Sequence, residues 1–281
     1  MDASDLPGKA ITWAAKNPQA IIRWLKPIYS WYRNRGKQKQ QRGILIIGPG
    51  GVGKTTLARI ISGNFNWLLD DLWQYSDSTS VEKVKFEDHP GIEIVVAPGQ
   101  KARRLTYWTG LQKLVVAGQY RGVIFVSAYG YHSMAHGRYK EHPDYQGNKA
   151  RFIEILAEQG RNDELATFKQ LASYMQACPM PIWLLQVVAK EDIWSEEKES
   201  VLSSYSTGEY QPILDELHKT RGPKQFHHEL VLLSLVIANY VSGDGEVLKK
   251  NTAGYDHRRQ VESVRRLFEI LSAMMTWESA T

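Results

Sequence analysis

The 281-residue sequence contains one cysteine, Cys178, and no long uninterrupted apolar run. A single cysteine excludes an internal disulfide and a cysteine-based metal cluster. No segment approaches the roughly 20 apolar residues that a membrane-spanning helix needs. The chain also starts without the basic and apolar pattern of a secretory signal. These absences lead us to expect a protein of the reducing cytoplasm.

The net positive charge is confined to the N-terminal segment. The formal net charge is +5, but residues 1–42 alone carry +7 and the remainder carries −2. The basic character therefore belongs to one segment, and we expect no nucleic-acid partner. A hydrophobic fraction of 43% is ample for a buried core.

Residues 1–42 form a basic, Trp-rich segment that predicts a helical arm followed by a linker. Four apolar side chains fall on one helical face, and two tryptophans lie beside it; they are Ile21, Leu25, Ile28 and Tyr32, with Trp24 and Trp31. Three alternatives fit this pattern: a helix packed on the domain, an interfacial membrane helix, and a segment that docks a partner protein through residues 9–42. If the arm is an interfacial membrane helix, we expect a cytoplasmic protein that associates peripherally with a membrane.

Residues 43–56 read GILIIGPGGVGKTT, which predicts a strand that leads into a phosphate-binding loop. Glycines allow backbone N–H groups to surround phosphate oxygens closely, and the helix that follows adds its N-terminal dipole. A lysine then reaches the β- and γ-phosphates, and the hydroxyl of Thr55 is a ligand for Mg²⁺. The residues expected to bind the phosphates are Gly48, Gly50, Gly51, Val52, Gly53, Lys54, Thr55 and Thr56.

Strands and helices alternate through residues 43–281, which we expect to form a single domain. A hairpin is predicted at 81–87 and 92–97, buried strands at 122–129 and 181–189, and a further strand within 229–241. Helices are predicted at 149–160, 162–177 and 255–277. This order predicts an α/β fold, a mostly parallel sheet with helices on both faces and a ligand at the carboxyl ends of the strands.

Three stretches resemble the Ras-like and Arf-like small GTPases: GPGGVGKT, then APGQ at 97–100, then AKED at 189–192. The PGQ form resembles the bacterial polarity and gliding GTPases. Val96 stands where the family has an Asp that holds a water on Mg²⁺, and Ala189 stands where it has Asn or Thr. The resemblance implies a P-loop domain of the small-GTPase type.

The resemblance also implies roles for particular residues. Asp192 would accept the N1–H and N2–H₂ groups of guanine, while Lys190 would lay its alkyl stem along the purine. Gly99 would offer its backbone N–H to the γ-phosphate, and Gln100 would orient the attacking water. Thr79 stands where the family's switch I threonine binds Mg²⁺.

Other signals leave alternatives open. Arg103 and Arg104 could stabilise transition-state charge, or be solvated, or contact a partner. The loop beside the base is expected near 240–243, and His132, His136 and His142 are expected in a Tyr-rich contact loop rather than a metal site.

The expected function is a switch protein that binds GTP with Mg²⁺ and slowly hydrolyses it to GDP, with Lys54 and Gln100 as catalytic residues. Loss of the γ-phosphate would release residues 70–80 and 97–110, which would signal to an effector or regulatory protein. Two alternatives stay open: a P-loop ATPase or small-molecule kinase, and a nucleotide-binding scaffold without turnover.

Overall fold

A computed structural model describes residues 22–23, 26–27, 29–30, 42–64, 81–86, 89–134 and 137–277. The predictions for Thr79, for His136 and for most of the arm lie outside these residues. The same holds for the whole of the first switch segment, 70–80.

Six strands form the central sheet in the order β2-β3-β1-β4-β5-β6. Every neighbouring pair is parallel except the β2–β3 hairpin. The strands are β1 (Gly43–Ile47), β2 (Glu82–Phe86), β3 (His89–Val96), β4 (Tyr120–Ser127), β5 (Ile182–Val188) and β6 (Phe226–Leu232). Because β1 and β3 to β6 run in one direction, the loops that follow them meet at a single edge.

Seven helices have both ends within the described residues. They are α1 (Lys54–Ile61), α2 (Lys101–Val116), α3 (Lys149–Ala177), α4 (Glu191–Trp194), α5 (Lys198–Ser206), α6 (Gln211–Arg221) and α7 (His257–Thr276). Short 3₁₀ turns lie at Tyr139–Glu141 and Ser195–Glu197, and β7 (Tyr240–Val241) pairs with β8 (Val247–Lys249) in a small second sheet. Among the helices of the described part, none has both the length and the apolar character needed to cross a bilayer.

The sheet is covered on both faces. Helices α1 and α7 pack on one face, where alternate strand residues such as Ile44, Ile46 and Val96 are buried. Helices α2, α3, α5 and α6 pack on the other, against residues such as Leu45 and Val95. The predicted fold class, a mostly parallel sheet between two helical layers, is confirmed.

Two boundaries differ from the prediction. The two helices predicted at 149–160 and 162–177 form one helix, α3, in which Gly160 does not end the helix. A methyl group at Gly160 would lie 2.4 Å from the Gly130 carbonyl oxygen, so this glycine permits close packing of the loop after β4. The last strand of the main sheet begins at Phe226, so His227 and His228 lie inside β6 and not before it.

Of the arm residues that the structure describes, Ile22 and Tyr29 are buried, whereas Arg23, Lys26 and Pro27 are exposed. Ile22 and Tyr29 join the apolar cluster between the sheet, α1 and α7. The Tyr29 hydroxyl donates to the Ser62 carbonyl oxygen at 3.0 Å, and its ring packs edge-on against Phe268. These contacts are those of a segment packed on the domain.

Candidate functional site

The glycine-rich loop between β1 and α1 closes around the side chain of its own lysine. Gly53 precedes α1 with φ 98°, a left-handed conformation that glycine adopts without strain. Lys54, the first residue of α1, is buried, and its Nζ donates to the Pro49 carbonyl oxygen at 2.6 Å. The loop thus holds an ammonium group at the N-terminus of a helix, as the sequence predicted for a phosphate site.

The charge of Lys54 is costly in this position. Burial lowers the pKa of Lys54 to about 7; the Arg104 charge also lowers it, while Glu82 and Asp163 act in the opposite direction. A buried cation is stabilised when an anion arrives beside it. Electrostatics therefore favours a negatively charged ligand at this loop.

Gly99 lies directly against the lysine and the loop. A methyl group at Gly99 would be 2.2 Å from Lys54 Nζ and 2.4 Å from the Pro49 carbonyl oxygen. The segment continues the pairing of β3 with β1, since the Ala97 amide donates to the Ile46 carbonyl oxygen at 2.8 Å. Gln100 follows as the half-buried N-cap residue of α2. The fold thus brings Gly99 and Gln100 to the predicted phosphate loop.

Arg104 is held inside the protein and does not extend into solvent. Its guanidinium donates to both carboxylate oxygens of Asp163 at 2.9 and 2.6 Å and to Thr167 Oγ1 at 2.9 Å. Its Nε donates to the Gly99 carbonyl oxygen at 2.6 Å. Arg104 therefore ties the start of α2 to α3, whereas Arg103 is exposed.

Lys190 lies at the carboxyl end of β5, in a left-handed conformation with φ 64°. Its Nζ donates to the Tyr131 carbonyl oxygen at 2.7 Å and to Ser133 Oγ at 3.0 Å. Burial lowers the pKa of Lys190 to about 8, with Asp192 and Glu164 opposing that shift. The lysine stem is thus enclosed beside the loop after β4.

Asp192 lies in α4 and is 1% exposed. One carboxylate oxygen accepts from the Ser234 hydroxyl, and the other accepts from the Ala238 amide at 3.0 Å. Burial raises its pKa, although these hydrogen bonds and Lys190 oppose the shift. A carboxylate oxygen has two lone pairs, so each oxygen keeps acceptor capacity for a further donor.

The loop beside Asp192 is residues 233–239, so its predicted position near 240–243 is wrong. The prediction failed because β6 ends at Leu232, and Tyr240–Val241 belongs to β7 of the small sheet. This loop also approaches the phosphate loop, since a methyl group at Gly53 would be 3.5 Å from Leu235 Cδ1. Ser234 is thus a candidate site residue that the sequence did not identify, although a polar residue shortly after a strand of the sheet is a signal for one.

Glu164 is a second residue that the sequence did not identify. This fully buried carboxylate of α3 accepts from the Ala128 and Gly130 amides, from His132 Nε2 and from the Tyr205 hydroxyl at 2.7 to 3.0 Å. Burial would raise its pKa, but the bonds from His132, Ala128 and Tyr205 outweigh burial and lower it. Glu164 thereby fixes the loop after β4.

Thr55 fits a magnesium site. It follows Lys54 in the first turn of α1 and is half-buried, and hydroxyl and phosphate oxygens are ligands that Mg²⁺ accepts. Val96, where the resemblance implies an Asp, is completely buried and has no oxygen to offer. Across residues 42–64, 81–86, 89–134 and 137–277, no three His, Cys, Asp or Glu side chains are grouped to hold a metal ion.

Comparison with solved structures finds a likeness to an ADP-ribosylation factor-like GTP-binding protein, the small COPII coat GTPase Sar1 of Encephalitozoon cuniculi, in complex with GDP. The two are 12% identical; the match covers 92% of this chain and 89% of that chain, with a TM-score of 0.45. Neither a protein-family model nor a curated protein sequence matches the chain.

Proposed function

We propose that this protein binds GTP with Mg²⁺ and hydrolyses it slowly to GDP, and that the two nucleotide states differ in the order of its switch segments. The observation that carries the proposal is the buried Lys54 inside the glycine loop, with Gly99 packed against its Nζ. A buried cation with a backbone amide beside it is the kind of arrangement that binds a terminal phosphate, which supports the proposal.

The guanine preference rests on the residues after β5. Asp192 retains acceptor capacity on both carboxylate oxygens, and two acceptors side by side match the N1–H and N2–H₂ donors of guanine. Adenine offers no such pair of donors. Because Asp192 is 1% exposed, residues 233–239 must move aside for the base to reach it.

The mechanism that we propose is one of positioning. Lys54 and the loop amides hold the β- and γ-phosphates, and Thr55 is a ligand for the Mg²⁺ ion that neutralises them. Gly99 contacts the γ-phosphate through its amide, and Gln100 orients the attacking water. Thr79 stays a prediction as a second magnesium ligand.

Partners are part of the proposal. Loss of the γ-phosphate removes the contact of Gly99, so segment 97–110 would change its order and signal to an effector or regulatory protein. Apart from Ile22 and Tyr29, which are buried against the domain, the arm at 9–42 would dock on a partner or on a membrane surface.

The first test is thermal unfolding of the purified protein with GDP, GTP, ADP or ATP in the presence of Mg²⁺. A ligand at about 100 times its Kd adds roughly 2.7 kcal/mol of stability. We expect GDP and GTP to stabilise the protein and the adenine nucleotides to have no effect. The variant Lys54→Ala should unfold at the same temperature with and without GTP.

Other outcomes would select the rival functions. Equal protection by ATP would favour a P-loop ATPase or kinase. Protection by guanine nucleotides without phosphate release over hours would favour a scaffold without turnover, which the buried Val96 in place of an acid also favours. No response to any nucleotide would remove the proposal.

A further inference from the structure

Val96 leaves a gap in the set of oxygen ligands expected around Mg²⁺. It is the last residue of β3, next to the phosphate loop, and its side chain is apolar and completely buried. Magnesium in nucleotide sites keeps several waters and is usually held by one or two carboxylates together with the phosphates. A carboxylate from another position would be needed to perform this role.

The strand register places such a carboxylate directly opposite Val96. Glu82, the first residue of β2, pairs with Val96 in the antiparallel β2–β3 hairpin. Side chains of directly opposed residues project from the same face of a sheet, with Cβ atoms about 4.5–5.5 Å apart. Val84, two residues further along β2, packs in the same cluster as Val96, which confirms that Glu82 belongs to the α1 face.

Glu82 also lies at the edge of the sheet that carries the phosphate loop. Because β2 runs antiparallel to β3, the first residue of β2 stands beside the last residue of β3, at the carboxyl end of the parallel strands. Thr55, in the first turn of α1, is on the same face of the sheet. Asp163 instead holds Arg104 by two hydrogen bonds and belongs to α3 on the opposite face.

We propose that Glu82 supplies the carboxylate that Val96 lacks and holds a water of the Mg²⁺ shell beside Thr55. The inference rests on the proposed binding of GTP with Mg²⁺. Glu is one methylene longer than Asp, which suits a carboxylate that starts from the neighbouring strand. Glu82 is thus a positioning residue for the metal, and the nucleotide can still bind weakly without it.

The test measures GTP affinity as a function of free Mg²⁺, from EDTA to millimolar Mg²⁺, for the wild type and for Glu82→Gln. Loss of a carboxylate that acts through a metal-bound ligand typically weakens metal affinity by about 10- to 100-fold. GTP affinity should increase with free Mg²⁺ in both proteins. We expect the Mg²⁺ concentration that gives half of this increase to be at least about tenfold higher in Glu82→Gln than in the wild type. Affinity in EDTA should be unchanged or higher, because one negative charge near the phosphates is gone.

Glu93→Gln is the matched control. Glu93 lies on β3, one strand away, but its carboxylate pairs with Lys83, and the side chain at that register faces away from α1. GTP binding by Glu93→Gln should depend on Mg²⁺ as it does in the wild type.

Glu82→Asp keeps the charge on a shorter side chain. Its Mg²⁺ requirement should therefore lie between those of the wild type and Glu82→Gln. This variant serves as the test if Glu82→Gln does not fold.

The outcomes separate the inference from the proposed function. If the wild type, Glu82→Gln and Glu82→Asp all bind GTP with the same Mg²⁺ dependence, the role of Glu82 is overturned and the proposed function stands. A wild type that binds no GTP at any Mg²⁺ concentration overturns the proposed function, and the inference with it.

Discussion

Ser133 Oγ accepts a hydrogen bond from Lys190 Nζ at 3.0 Å, and the Ser133 amide donates to the Gly51 carbonyl oxygen at 3.1 Å. One residue of the loop after β4 therefore joins the lysine that follows β5 to the glycine loop that follows β1. Ala189 has no polar side chain with which to make this connection. The link is provided instead by a residue about 55 positions earlier in the chain.

Ser133→Ala should weaken GTP binding while leaving the fold intact. The change removes a hydrogen bond to a charged group but keeps the backbone bond to Gly51. Such a bond contributes about 1.5–3 kcal/mol, which corresponds to a loss of affinity of about 10- to 100-fold. Titration with a fluorescent GTP analogue measures the effect. Ser173→Ala, at an exposed position on α3, is the control and should bind GTP like the wild type. If both variants bind GTP with equal affinity, Ser133 does not contribute to the site.

Asp192→Asn should change the base preference from GTP toward XTP. The amide donates to the extra carbonyl of xanthine, whereas it cannot accept both guanine donors. Loss of these two bonds costs roughly 3 kcal/mol, or about 100-fold in GTP affinity. Competition between the two triphosphates measures the change.

Asp192 also accepts from Ser234 and Ala238, so the substitution disturbs residues 233–239 as well. Unfolding of each variant without nucleotide separates that structural effect from base recognition. Asp215→Asn, on the exposed side of α6, should leave the preference unaltered. An unchanged preference in Asp192→Asn would show that Asp192 does not contact the base.

Gly99→Ala should lower both stability and GTP affinity. The added methyl group would lie 2.2 Å from Lys54 Nζ and 2.4 Å from the Pro49 carbonyl oxygen, so the glycine loop has to shift. Overpacking of this kind costs about 1–3 kcal/mol of the free energy of unfolding. Chemical denaturation and GTP titration measure the two effects.

Gly110→Ala is the control for this prediction. Gly110 lies within α2 with no neighbouring atom within 4 Å of the new methyl group. Alanine in a helix should raise stability by about 0.5–1 kcal/mol and leave GTP binding unchanged. If Gly99→Ala behaved in the same way, the close contact with Lys54 would be absent in solution.

His228 should make the protein less stable as the pH falls below about 6.5. Burial in β6, with the nearby charges of His218 and His227, lowers its pKa from 6.5 to about 4. Between these values the unfolded chain binds more protons than the folded one, so stability is complete above 6.5 and decreases toward pH 4. A shift of this size corresponds to roughly 3 kcal/mol.

His228→Gln tests the assignment, because glutamine stays neutral and can still donate to Gln186 Oε1, which His228 Nε2 contacts at 2.8 Å. Denaturation at pH 7.5, 6, 5 and 4 should show a smaller loss of stability in the variant than in the wild type. The same slope in both proteins would mean that His228 does not contribute to the acid sensitivity.

The phosphate loop and the sheet were predictable because their signals are local. Positions such as Gly53 need a backbone conformation that favours glycine, and the apolar run at Ile44–Ile47 can only be a buried strand beside it. Gly99 was identified through the resemblance of residues 97–100 to a motif of the small GTPases. The roles of these residues in nucleotide binding stay predictions.

Contacts between distant segments could not be predicted. The sequence predicts a helix that ends at Gly160. The packing of this glycine against Gly130 depends on how α3 lies on the sheet and gives no local signal. Arg104 could be solvated or catalytic on the sequence alone, since its partner Asp163 is 59 residues away.

The sequence by itself determined the α/β class and the glycine loop with Lys54, because short-range backbone preferences and apolar periodicity suffice for these, whereas Gly99 rested on the resemblance of APGQ to a family motif. Only the tertiary structure decided that Ser133 joins Lys190 to the glycine loop, that Ser234 holds Asp192, and that Glu82 faces the side of Val96. The register between strands and the order in which they pair bring these residues together, and both arise from burial of the whole sheet rather than from any single segment.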